Sequence, residues 1–189
     1  MKPCIFTARG STVCFTAPHA RSYESPTRGA KLADLYTGEI AAQAAELSGS
    51  SVLRLKRPYG SERTWRYKYF KQALHQTVPK SSLLLDIHGA GSHHPFEICF
   101  GTGYMNPNLH PMLDAAIQLA RAYGFKYAVN HPFAGKSGLT AYWQKRNGDG
   151  TALQIELHRA LRDMDADGAT MQMRTVPFLA ELALMLENR

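Results

Sequence analysis

The chain has 189 residues, 22 Lys and Arg against 15 Asp and Glu for a formal charge of +7, and 44% hydrophobic residues. This composition suits one domain over residues 1–189 and excludes a disordered chain. The longest apolar stretches, 82–87 and 178–186, fall short of the roughly 18 residues a membrane-spanning helix needs.

The first residues lack an apolar core followed by a small-residue cleavage site, so no secretory signal is expected and a cytoplasmic location is the default. Cys4, Cys14 and Cys99 are widely spaced and odd in number, which reads as buried thiols rather than a disulfide framework or a thiolate zinc cluster. Along the chain, TVCFTA (12–17) reads as a strand ending at Pro18. The stretch LADLYTGEIAAQAAEL (32–47) has helical spacing and stops before Gly49. A strand over 51–56 leads into RPYGSERTWRYKYFKQAL, where 64–76 has apolar positions three and four apart.

LLLDIHG, from Leu83, has the continuous apolar character of a central parallel strand and runs into a glycine turn. Beyond it come a strand over 96–100, a helix over 111–123 ending at Gly124, and a strand over 126–130. The segment NHPFAGKSGLTAYWQKRNGDG (130–150) has no strong period and is expected to be a loop or irregular hairpin beside a site. ALQIELHRALRD starts as a strand and turns helical, and an amphipathic helix over 176–187 closes the chain. The alternation predicts an α/β protein, a three-layer α/β/α sandwich with a mixed, mainly parallel sheet.

Open α/β sheets bind ligands beyond the carboxyl ends of their strands. Three such ends carry chemistry here. The first strand delivers APHARSYE with His19 and Glu24, the central strand delivers His88, and QIELHR delivers Glu156. Two imidazoles and one carboxylate form a common catalytic zinc set with a fourth position open to water, which leaves Glu156 free for proton transfer. An ionisable side chain ending an apolar strand is costly to bury without a partner, and one shared metal answers all three ends.

These segments, with TGEIAAQAA and LLLDIHGAG, resemble the N-formylglutamate amidohydrolase family and its poly-γ-glutamate hydrolase relatives, over roughly residues 15–162. The resemblance implies a zinc carboxypeptidase or phosphorylase-hydrolase-like fold. It further implies Zn2+ held by His19, Glu24 and His88, with Glu156 as general base and acid. Relatives often carry Gly-Gly after the first His. This chain has Ala20 and Arg21 there, so Asp34 and Glu39 stand as alternative carboxylate ligands. The chain is also shorter than typical formylglutamate hydrolases.

The expected reaction is hydrolysis of an N-acyl amino acid or a γ-glutamyl amide, a small or peptide-like anionic substrate. A substrate carboxylate calls for a fixed cation, for which Arg57 and Arg63, after the second strand, and Lys136, in a glycine-flanked loop, are the candidates. Tyr142 is a candidate hydrogen-bond donor to an oxyanion, with packing as its ordinary role. Asp86 is expected to point away from His88, in the core or in a bond that orients a ligand. His93 and His94 read as loop residues, His131 and His158 as residues that could line a pocket, and His75 and His110 as surface or capping residues. No Gly-x-Ser-x-Gly elbow and no phosphate loop is present. The alternative is a non-catalytic basic binding protein of the same fold that recognises an anionic polymer or nucleic acid. It would use the interleaved basic and aromatic residues of RLKRPYGSERTWRYKYFK.

Overall fold

The computed structural model describes residues 4–21, 23–25, 29–31, 33–56 and 65–188, with 23–25, 29–31, 65–68 and 166–167 described by their backbone alone. The strands are β1 (Cys4–Thr7), β2 (Val13–Ala17), β3 (Tyr23–Ser25), β4 (Gly29–Lys31), β5 (Ser51–Leu55), β6 (Leu83–Gly89), β7 (Ile98–Gly101), β8 (Tyr127–Val129) and β9 (Ala152–Leu157). The helices are α1 (Thr37–Ser48), α2 (Trp65–Thr77), α3 (Leu113–Ala122), α4 (Leu139–Asn147), α5 (Met164–Thr170) and α6 (Val176–Glu187), with a π-helical stretch, Met171–Thr175, joining the last two.

The main sheet has the order β1-β5-β2-β6-β9-β7-β8. Its centre, β5-β2-β6-β9, is parallel, while β1 pairs antiparallel with β5 and β7 antiparallel with β9. α1 packs on β2, β5 and β6 and against α6, which in turn meets β2 and α3. α4 packs on β6 and β9, α2 packs on β1, and the α2 and α4 side chains meet through His75 and Tyr142. The mixed three-layer architecture is the one expected from the alternating elements.

Burial explains the apolar central strands. Phe15, Leu85, Ile87, Leu153 and Ile155 are fully enclosed, as a sheet covered by helices on both faces requires. Between β2 and β6 the connections reverse direction: the chain steps from β2 to β5 on one side, then crosses to β6 on the other. Such a switch point opens a crevice at the carboxyl ends of the two strands.

Three local readings need correction. α4 forms inside the segment expected to be a loop. It has no clean amphipathic period because its polar residues are buried against backbone: the Trp143 indole donates to Ser82 O at 3.1 Å and Gln144 Nε2 to Ala152 O at 2.9 Å. α1 starts at Thr37 rather than near residue 32, because Asp34 to Tyr36 make a turn in which Thr37 N and Oγ1 both donate to Asp34 O. α1 ends on Gly49 at φ 70°, a left-handed cap that glycine adopts without strain. β1 is an additional short edge strand with too few residues to show a period.

Candidate metal and hydrolytic site

At the switch point, His19 follows β2 and His88 ends β6. Their rings stand edge to face, with centroids 4.9 Å apart. Asp34 joins them from a distant part of the chain. Between His19 and Asp34 the antiparallel pair β3–β4 leaves and returns, and Asp34 N then donates to His19 O at 2.9 Å, tying the two loops together. Tyr36, two residues on, holds a left-handed φ of 63°, which costs a non-glycine residue roughly 1–3 kcal/mol and persists only where its surroundings impose it. Its hydroxyl donates to Asp165 Oδ2 at 2.5 Å.

Asp34 Oδ2 lies 3.5 Å from His19 Nδ1 and 3.7 Å from His88 Nδ1, and it accepts from Gly89 N at 3.2 Å. One donor atom from each of His19, Asp34 and His88 lies within 4.8 Å of the others, and all three residues are buried. A tetrahedral ion with bonds of about 2 Å sets its donors about 3.3 Å apart; the two Asp34–histidine separations are already near that spacing, and a zinc-sized ion would draw the widest pair closer. Two imidazoles and one carboxylate are also the donor chemistry of catalytic zinc.

Asp86 corrects a sequence expectation. Residues two apart on a strand share a face, so Asp86 points the same way as His88. It is fully buried and accepts from Thr16 Oγ1 at 2.8 Å and Thr140 Oγ1 at 3.1 Å. His88 Nε2 lies 3.1 Å from Asp86 Oδ2 and makes no aligned hydrogen bond. A carboxylate behind the outer nitrogen of a metal-binding histidine sets its tautomer and ring orientation.

The electrostatics follow from this crowding. Burial alone would raise Asp34, but the imidazoles of His19 and His88 outweigh it and hold the carboxyl far below its ordinary range. Burial alone would lower His88. The charge of Asp86, contacts with Asp34 and Asp86, and the charge of Glu156 outweigh it and push the imidazole well above its ordinary value.

Glu156 stands beside His88 in the β6–β9 register, and Asp86 stands beside Gln154. Both pairs therefore lie on the sheet face that α4 covers. Gln154 Nε2 donates to Glu156 Oε1 at 2.7 Å. On the other side Cys99 of β7 pairs with Glu156. Burial raises the Cys99 thiol to about 11, which keeps it protonated.

The other expected residues divide into those outside the described residues and those placed elsewhere. Glu24 sits opposite Ala30 in the β3–β4 pair, but its side chain lies outside the described residues, as do Arg57 and Arg63. Glu39 engages Arg21 at 3.0 Å. Lys136 is exposed on the loop before α4. Tyr142 meets His75, with Lys71 Nζ 4.2 Å from its ring centre, between α2 and α4. His94 stacks on Phe96, His93 and His131 are exposed, and His158 accepts from Ala160 N. His110 is buried, not at the surface, with Nε2 3.0 Å from Ala152 O.

Comparison with solved structures places the fold. N-formylglutamate amidohydrolase from Ralstonia eutropha JMP134 superposes with a TM-score of 0.71 at 14% identity, over 100% of this chain and 99% of that one. A bacteriophage poly-gamma-glutamate hydrolase gives 0.61 at 12% identity, covering 98% and 87%. A metallo-carboxypeptidase from Pseudomonas aeruginosa gives 0.52 at 14% identity, covering 98% and 61%. By sequence, no family model and no curated protein matches. The fold is that of the carboxypeptidase-like hydrolases, as the sequence resemblance implied.

Proposed function

We propose that the protein is a zinc-dependent amidohydrolase that cleaves the amide bond of an N-acyl amino acid, N-formylglutamate-like, or of a γ-glutamyl amide. The observation that carries this reading is the convergence of His19, Asp34 and His88 at the switch point with Glu156 beside them. In this reading Asp34, one of the alternatives to Glu24, is the carboxylate ligand. The comparisons support it through fold: the amidohydrolase and the poly-gamma-glutamate hydrolase share this architecture along most of their length.

Zinc, when bound, supplies Lewis acidity that acidifies a water and polarises a carbonyl. The protein's own groups do the rest. Glu156 takes a proton from the attacking water and delivers it to the departing nitrogen, a role that typically contributes ~100- to 10,000-fold in rate. Gln154 holds one oxygen of Glu156 and so fixes how the carboxylate is presented. Asp86 orients His88 through its outer nitrogen. The substrate carboxylate is assigned to the cations Arg57, Arg63 and Lys136, in line with the +7 charge of the chain.

The deciding experiment measures zinc content and hydrolysis together. Protein purified without chelator is expected to carry about one equivalent of zinc, set by a single three-ligand site. It is expected to hydrolyse N-formylglutamate or a γ-glutamyl oligomer in a chelator-sensitive manner. If zinc content is near zero and His88→Ala changes neither metal nor rate, the proposal fails.

A further inference from the structure

Arg162 lies 6% exposed beneath the candidate site, and its hydrogen bonds run to backbone carbonyls. Nε donates to Leu157 O at 3.2 Å, Nη1 to Leu35 O at 2.9 Å and Nη2 to Ala90 O at 3.0 Å. The nearby carboxylate of Asp163 is engaged by Arg159 at 2.8 Å. Each carbonyl held by Arg162 belongs to a different segment, and each lies within two residues of a site residue. Leu157 follows Glu156, Leu35 follows Asp34 and precedes the strained Tyr36, and Ala90 lies two beyond His88.

The backbone makes room for this arrangement at Gly89. A Cβ there would stand 2.6 Å from Arg162 Cζ and 2.7 Å from Nε. A guanidinium at the end of a flexible side chain could ordinarily move aside. This one can yield only by releasing its carbonyls. Gly89 also gives its N–H to Asp34 Oδ2, so one residue touches both the guanidinium and the carboxylate. Burial lowers the Arg162 guanidinium, and the charges of Asp34 and Glu156 offset part of that effect.

We propose that Arg162 is a positioning residue that presets the metal site by clamping together the three chain segments that carry Asp34, His88 and Glu156. The inference rests on the metal-site reading above. Arginine suits the task because its planar fork donates in several fixed directions at once, whereas a lysine ammonium acts as a compact point on a flexible stem. Groups that orient ligands without touching the ion typically alter metal affinity 10- to 100-fold.

The test is calorimetric titration of zinc into chelator-stripped protein, with folding followed by circular dichroism and urea unfolding. Arg162→Gln is expected to weaken zinc binding about 10- to 100-fold while the protein stays folded, and Arg162→Lys to recover only part of that loss. Gly89→Ala, which keeps the arginine, is expected to weaken binding in the wild-type background. It should add little in an Arg162→Ala background, because the added methyl acts through the guanidinium. Wild-type zinc affinity in the Arg162 variants, with a shift only in the urea midpoint, overturns the inference and leaves the metal site standing. Full additivity of Gly89→Ala and Arg162→Ala also overturns it. Should the Arg162 variants fail to fold, Gly89→Ala decides: unchanged zinc affinity in that protein refutes the clamp. A wild-type protein that takes up no zinc refutes the metal reading and the clamp together.

Discussion

His88 and His110 are both buried histidines, yet they stand at opposite ends of the central strands and in opposite surroundings. At the amino-terminal rim, His110 shares Ala152 O with Gln144, and Trp143 bonds Ser82 O, so neutral donors meet neutral carbonyls. At the carboxyl-terminal rim, His88 faces Asp34, Asp86 and Glu156. Burial lowers His110, whereas the acids push His88 up. The same residue type thus serves as a packing donor at one rim and as a prospective metal ligand at the other. What separates the two is the charge of the partners, since burial is nearly equal.

The largest expected effect tests whether the carboxyl rim is chemical at all. Glu156→Gln should lower hydrolysis ~100- to 10,000-fold with zinc content unchanged, measured by initial rates and metal analysis. Undiminished hydrolysis would remove the proposed base. Next, Asp34→Ala should weaken zinc binding by more than about 100-fold, beyond what an orienting group contributes. Glu39→Ala should leave it intact, since Glu39 is held by Arg21. If Glu24→Ala empties the site and Asp34→Ala does not, the ligand is the one that sequence spacing first suggested. Asp86→Asn, which weakens the support behind His88, should cost about 10- to 100-fold in zinc affinity.

The smallest effect is a pair of opposite pH slopes in the metal-free protein. His110 has a lowered value when folded, so the unfolded chain binds more protons below about 6.5 and stability should fall as pH drops through that region. His88 has a raised value, so its stabilisation is complete below about 6.5 and is lost as pH rises through its folded value. Urea midpoints against pH should show His110→Gln flattening the acid side and His88→Gln flattening the alkaline side. Parallel profiles for the two variants would erase the contrast between the rims.

Much of the carboxyl rim was legible because apolar strands announce their ends. His19, His88 and Glu156 each terminate or follow a run with no acidic or basic side chain except Asp86, and parallel strands bring such ends to one rim. Asp34 stood only as an alternative, because its approach depends on the β3–β4 excursion and on one backbone bond to His19. Arg162 left no signal that set it apart from Arg159, three residues earlier in LHRALR. One meets a carboxylate and the other three carbonyls, which depends on where other segments pass.

The sequence by itself determined the alternation of strands and helices, the mixed α/β/α class and the strand ends that carry the candidate site residues. Period, burial and turn chemistry act over a few residues and are written locally. Only the tertiary structure decided that Asp34 meets the two histidines, that Asp86 backs His88 and that α4 forms where no period called for it. Those outcomes depend on contacts between segments far apart in the chain, whose energies no local pattern contains.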